Sequence, residues 1–273
     1  MTRNVFMTLG LALLLAAAPA SGTLVTLQDR NATATFDTGS QAGMSSWTID
    51  GVNQMFQQWF WFRTGAAGGE QSLNTLTETG LLASDTNPFV DPNNDALAGL
   101  WTGNGFTIEV NWLLRGGNPG SFTSDVTEAI TIRNTGETAL DFHFFQYSDF
   151  NLGGVGGNQG ITIDPNHQIA RQTGAGLELT ETIVTPAANF AEADVFANTR
   201  DRLNDASATT LNNVLAAFGD ATWAFQWDVA IAPGGSFQIS KDKLIALIPA
   251  PGAIVLGALG LALVQRLRRR MAA

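Results

Sequence analysis

The side chains here that could begin acid–base or metal chemistry are two histidines, His143 and His167, and a scatter of carboxylates. His143 sits mid-strand in "DFHFFQY" and His167 near a turn in "DPNHQ". Neither has a second His at ligand spacing, and the chain has no cysteine, so a zinc site is not expected. Lone histidines in such settings read as structural or solvated. There is no G-x-S-x-G elbow to mark a serine hydrolase. "GGVGGNQG" matches neither the dinucleotide fingerprint nor the phosphate-binding loop. No cofactor is expected.

Paired carboxylates are the remaining route to catalysis, since a glycosidase needs two of them about 5–9 Å apart. Glu109, Asp141, Asp149 and Asp228 lie on strands or at strand ends. Separation between different strands is not written in a sequence, and outward carboxylates normally form the wet side of a sheet. "DPNND" places Asp91, Asn93 and Asp95 in alternation, like the start of a calcium loop. An EF-hand needs Gly at the sixth position and an acidic twelfth residue, whereas Ala96 and Thr102 stand there. The stretch therefore reads as an Asx-rich turn.

Seven tryptophans offer a different chemistry, because exposed indole rings stack on sugar faces. Trp112, Trp223 and Trp227 share strand faces with Phe, Ile and Val and read as core. Trp59 and Trp61 alternate with Phe56, Phe60 and Phe62, so at most one of the two sets faces solvent. Trp47 and Trp101 are less constrained.

The elements that must hold these residues are strands. "FTIEVNW" and "WAFQWDVAI" alternate apolar and polar residues with period two. "NATATFDT", "MSSWTID", "ITID", "HQIARQT", "LELTETIVT" and "GSFQISKDKLIAL" are further strands. "GVNQMFQQWFWFR" is apolar on both faces, which suits a central strand. "SDVTEAITIRN" and "TALDFHFFQYSDF" are expected to form a hairpin through Asn134-Thr135-Gly136-Glu137. One short helix is expected in "AEADVFANTRDRLNDA", acidic early and basic late, and a helical turn around Glu70 to Leu76. "LGGVGGNQG" and "TGAAGGE" read as surface loops. With no linker inside it, the body from residue 21 to 247 is expected to be all-β, a single antiparallel β-sandwich or supersandwich.

The two ends differ from that body. Arg3, an apolar run from Val5 to Ala17, and the small residues Ala18 and Ala20 make residues 1–20 a secretory signal peptide cut after Ala20. The last segment, 248–273, opens with Pro249, Ala250, Pro251 and Gly252. A charge-free run to Val264 follows, then Arg266, Arg268, Arg269 and Arg270. As a helix, Gly252 to Val264 reaches about 20 Å, short of a ~30 Å hydrocarbon core. It reads as a short transmembrane helix with its arginines on the cytoplasmic side.

The order and placement of these three parts resemble the PEP-CTERM sorting tail of exported bacterial proteins, with Ala250 where that tail carries Glu. The resemblance implies recognition by an exosortase-type membrane protease-transpeptidase. It further implies transient residence in the inner membrane, then transfer to the cell surface or extracellular matrix in association with exopolysaccharide.

Five of the 14 basic residues are Arg3, Arg266, Arg268, Arg269 and Arg270, so the body holds nine against all 24 acidic residues, a net charge of −15. Such a body disfavours nucleic acid and anionic polysaccharide as direct ligands and is compatible with divalent cations. The leading expectation is a non-enzymatic, surface-sorted protein of the extracellular matrix with a structural or interaction role. A carbohydrate-binding module using exposed tryptophan is the second, and a surface glycosidase the third. A row of exposed tryptophans would favour the second; two carboxylates facing each other in a cleft would favour the third.

Overall fold

The computed structural model describes residues 24–248. The expected signal peptide with Ala18 and Ala20, the Pro249–Gly252 motif and the arginines Arg266, Arg268, Arg269 and Arg270 lie outside the described residues. Among those described, no helix is long and apolar enough to cross a membrane.

The chain begins with β1 (Leu24–Asp29), β2 (Ala32–Asp37), β3 (Gly43–Ile49), β4 (Val52–Asn53), β5 (Met55–Thr64) and β6 (Gln71–Ser72). It continues through β7 (Thr77–Ser84), β8 (Ala96–Gly103), β9 (Phe106–Gly116), β10 (Ser124–Asn134), β11 (Leu140–Phe150) and β12 (Gln159–Ile163). The remainder is β13 (Ile169–Gly174), β14 (Leu177–Thr185), β15 (Phe190–Val195), α1 (Asn198–Leu203), β16 (Ala216–Gly219), β17 (Ala221–Ile231) and β18 (Ser236–Leu247).

Two sheets form. One runs β1-β2-β3-β5-β11-β17-β15, with β4 beside β3 and β6 beside β5; the other runs β16-β12-β13-β14-β18-β10-β9-β8-β7. Pairing is antiparallel except where β3 meets β5. The fold is the expected all-β antiparallel sandwich with one short helix.

Period-two alternation explains the layers. In β9, Phe106, Ile108, Val110, Trp112 and Leu114 turn inward while Thr107, Glu109 and Asn111 do not. Their inward partners are aromatic. Phe62 meets Phe106 at 5.4 Å and Phe60 meets Trp112 at 6.3 Å, while within the first sheet Phe150 of β11 stacks on Trp223 of β17 at 5.3 Å. The strand β5, apolar on both faces, is interior to its sheet, as its composition demands.

Four acid and base side chains also lie between the sheets, all fully buried: Glu128 on β10, Glu181 on β14, and Lys241 and Lys243 on β18. Lys241 Nζ is 2.5 Å from Glu128 and 3.4 Å from Glu181; Lys243 Nζ is 2.6 Å and 3.6 Å from the same two. Gln146 and the Trp223 indole, from the opposite sheet, donate to Glu181 at 2.7 and 2.8 Å. The tetrad is neutral as a unit and ties one sheet to the other.

Two expectations are corrected. Asn134 to Glu137 does not close a hairpin: β10 pairs with β9 and β18, and β11 pairs with β5 and β17, in opposite sheets. The segment is an arch across the sandwich, held by Asn134, whose Nδ2 donates to Thr138 O and, across the core, to Ile231 O, both at 2.8 Å. The helix expected over "AEADVFANTRDRLNDA" is confined to α1, because the first half is drawn into β15 alongside β17. The helical turn near Glu70 is a 3-10 turn, Leu73–Thr75.

Candidate functional site

A groove of about 680 Å³ opens on the solvent face of the second sheet, across β16, β12, β13 and β14. The strand register builds it in two rows. Phe218, Gly160, Thr173 and Glu178 are successive cross-strand neighbours; Ala216, Thr162, Arg171 and Thr180 form the parallel row. Alternation explains the sides: Gln159, Ile161, Leu179 and Leu177 point to the core, so their neighbours must point out.

Gly160 makes the hollow. A Cβ there would stand 3.6 Å from Thr173 Oγ1 and 3.8 Å from Phe218 Cδ2, so the absent side chain leaves the floor open beside the ring. Phe218 is 71% exposed, against the usual fate of phenylalanine. On the far wall Arg171 Nη1 donates to Glu178 Oε1 at 2.9 Å and Thr180 Oγ1 at 3.3 Å. That exposed pair adds little to stability, but it holds a guanidinium and a carboxylate in fixed positions over the floor. The groove thus offers an apolar ring face, hydroxyls, and fixed donors and acceptors. Those are the contacts a sugar uses, with its apolar C–H faces and its ring of hydroxyls.

The residues expected to do chemistry are distributed differently. All seven tryptophans are buried, Trp47 and Trp101 included. The tryptophan platform therefore has no members, and the structure overturns that route to sugar binding. The rings complete the inter-sheet core, and some have polar ties there: Trp47 Nε1 donates to Ser124 and Trp61 Nε1 to Asn204. His143 lies between Asp228, 2.7 Å from its Nδ1, and Asp141, 3.6 Å from its Nε2. His167 occupies a turn with φ of 55°. Glu109 accepts from its strand neighbour Asn111 at 2.9 Å. Asp91 accepts the backbone N–H of Asn93, the expected Asx turn, while buried Asp95 holds Thr86 through its N–H and its hydroxyl. Among the described residues no cluster of three or more His, Cys, Asp or Glu is placed to hold a metal.

Asp149 is one carboxylate that the fold brings to another. With Asp220, Asn151, Gly156, Phe56 and Phe196 it lines a second cavity, of about 200 Å³. Burial first, and then the charge of Asp220, push its carboxyl up to about 7. Cavities that hold extended ligands run to roughly 300–1,000 Å³. This one is smaller.

The groove was not read from the sequence. The signal that could have found it is Phe218 in "AAFGDA", a lone large apolar residue whose strand neighbours are too small to bury it.

No family model matches the chain, and no curated protein matches it. Solved structures do share its fold. A bacterial glucoamylase complexed with acarbose aligns with a TM-score of 0.56 at 9% identity, over 90% of this chain. The match spans only 36% of the glucoamylase. The Slr1438 protein from Synechocystis sp. PCC 6803 aligns with a TM-score of 0.55 at 10% identity, over 86% of this chain and 100% of that one. A GalM/aldose epimerase homologue from C. elegans aligns with a TM-score of 0.53 at 8% identity, over 83% and 99%. At such identities the likeness is one of architecture alone: the chain has the two-sheet sandwich of these proteins.

Proposed function

We propose that the chain is an exported, surface-sorted protein of the extracellular matrix whose sandwich binds neutral polysaccharide in the groove beside Phe218. The observation that carries this reading is that groove: a largely exposed phenylalanine ring above a glycine floor, opposite a fixed Arg171–Glu178 pair. The sandwich is an architecture shared with a glucoamylase and an epimerase homologue, which is consistent with a sugar ligand. The acidic body favours an uncharged glycan over an anionic one. A single exposed ring gives weak affinity, and repetition of the protein along a polymer supplies avidity.

The test is affinity electrophoresis of the purified protein through gels containing neutral or acidic polysaccharides. Retardation by a neutral glycan, weakened at least tenfold in Phe218→Ala and in Arg171→Ala, is the expected result. Equal mobility of wild type and both variants in every gel would overturn the reading.

Sorting belongs to the same proposal. Pro249, Ala250 and Pro251 supply the motif that the exosortase-type protease-transpeptidase reads, two of the three residues having no N–H to give to a hydrogen-bonded element. The short apolar run holds the substrate in the bilayer, and Arg266, Arg268, Arg269 and Arg270 stop its passage. Mass spectrometry of the extracellular form is expected to end near Gly252. Recovery of a peptide ending at Ala273 would mean that the tail is only an anchor.

A further inference from the structure

We infer that the cavity lined by Asp149, Asn151 and Asp220 is the seat of a hard divalent cation, calcium in kind, held by the side-chain oxygens of these three residues. The site stands apart from the sugar groove and does not depend on it.

Three elements meet there. Asp149 is the penultimate residue of β11, Asn151 opens the glycine-rich segment that follows, and Asp220 sits in the turn between β16 and β17. Asp149 is only 2% exposed, and its Oδ1 is buried with no hydrogen-bond partner. Asn151 Oδ1 is likewise buried and unpartnered. Buried polar atoms are nearly always satisfied, so two orphaned oxygens at one cavity ask for a ligand that accepts oxygen lone pairs.

The aim of two of the three donors, Asn151 and Asp220, is measurable at Gly156. A Cβ placed there would lie 3.2 Å from Asp220 Oδ1 and 3.3 Å from Asn151 Oδ1. Both oxygens therefore converge on one point, and the glycine keeps that point free. Tyr147 donates its hydroxyl to Asp149 Oδ2 at 3.4 Å, which leaves Oδ1 for the cavity. One positive group stands near: the Arg200 guanidinium, 4.6 Å above the Phe196 ring and 3.8 Å from Asp201. A bound cation favours the ionised form of Asp149, and two carboxylates against one guanidinium then leave the site negative.

The donor set decides the class of ion. All three donors are oxygens, with neither sulfur nor imidazole, which suits a hard cation rather than zinc. They come from a strand end and two loops, a compliant frame of the kind calcium tolerates and magnesium does not. With few protein donors and several positions left to water, affinity belongs to the weak range of extracellular modules, about 10⁻⁴–10⁻³ M.

The experiment uses the purified full chain, stripped with chelator and titrated with Tb³⁺, then with Ca²⁺ as competitor. Tyr147, in contact with Asp149, is placed to sensitise terbium emission. Wild type is expected to give saturable emission that Ca²⁺ displaces, and a higher melting temperature in millimolar Ca²⁺ than in chelator. Asp220→Asn is expected to lose at least tenfold in affinity. Gly156→Ala blocks the seat without changing charge and is expected to lose as much, while melting like wild type in chelator. Glu109→Gln, far along β9, is expected to bind as wild type. Absence of saturable Ca²⁺ binding by wild type below about 10 mM would overturn the assignment. So would binding that survives in both Asp220→Asn and Gly156→Ala.

Discussion

At the scale of single residues, the core is governed by charge as much as by rings. Removing one member of the Glu128–Lys241–Glu181–Lys243 tetrad leaves an unbalanced charge that water cannot reach. Glu128→Gln is therefore expected to cost about 3–5 kcal/mol. The double change Glu128→Leu with Lys243→Met restores neutrality and is expected to cost less than the single one; urea midpoints measure both. A second carboxyl makes a pH prediction. Asp125 is pushed up to about 7 by burial, then by its hydrogen bond and repulsion with Asp242. Its ordinary value is 3.8, so between about pH 4 and 7 the folded chain holds a proton that the unfolded chain has released. Stability must fall as pH rises through that window. Asp125→Asn is expected to flatten the fall and to gain on the order of 1 kcal/mol at pH 8, a discounted figure because the pair is partly solvated. Thermal melts from pH 4 to 8 check it. Little of this was legible. Lys241 and Lys243 share strand parity with Ile239 and Ile245, but only the facing glutamates of β10 and β14 make that parity tolerable. Asp149 was readable as a strand-end carboxylate; its partner Asp220 was not, because a turn far along the chain brings it there.

Strands were legible where alternation is strict, as in β9 and β17, and missed where small residues blur it. "ALAGLWTG" became β8 and "AAFG" became β16 without a pattern to announce them. β15 shows the opposite failure: Ala and Glu favour helix, but edge pairing with β17 satisfies the backbone and outweighs propensity. Glu192, placed as a helix residue by composition, instead accepts from Thr199 and Arg202 and tethers α1 to the sheet. The arch after β10 fails as a hairpin for a reason of faces. Both flanking strands carry long inward apolar rows, and these bury each other across the sandwich rather than side by side. Asn134 makes that crossing specific. Asn134→Ala removes both of its donations, to Thr138 O and across the core to Ile231 O. The expected loss is about 2 kcal/mol, read as a lowered denaturant midpoint with an unchanged slope.

For the molecule as a whole, the sandwich was legible because no segment offered an alternative to strands and no linker divided it. Which strands share a sheet was not, since pairing partners lie far apart in sequence. One feature of that pairing governs how the protein would carry a mechanical load. β18 is flanked on both sides, by β10 and β14, and the chain leaves it at Ile248 toward the tail. β14 is also the inner strand of the groove: Glu178 pairs with Ala246 and Leu177 with Leu247. With a glycan in the groove and the tail held at a membrane, tension passes from β14 directly into β18 and bypasses the aromatic core. Because Leu177 and Leu247 stand opposite each other at one end of the pair, a pull between residue 248 and the groove opens the β14–β18 bonds one by one from that end. The other end shares this weakness, since β1 is an edge strand paired with β2 alone. Single-molecule stretching is expected to need a smaller rupture force between residue 248 and a handle at the groove than between residue 248 and a handle at Thr185, the far end of β14, where the same bonds are sheared together. Equal forces would mean that the fold has no preferred direction of strength.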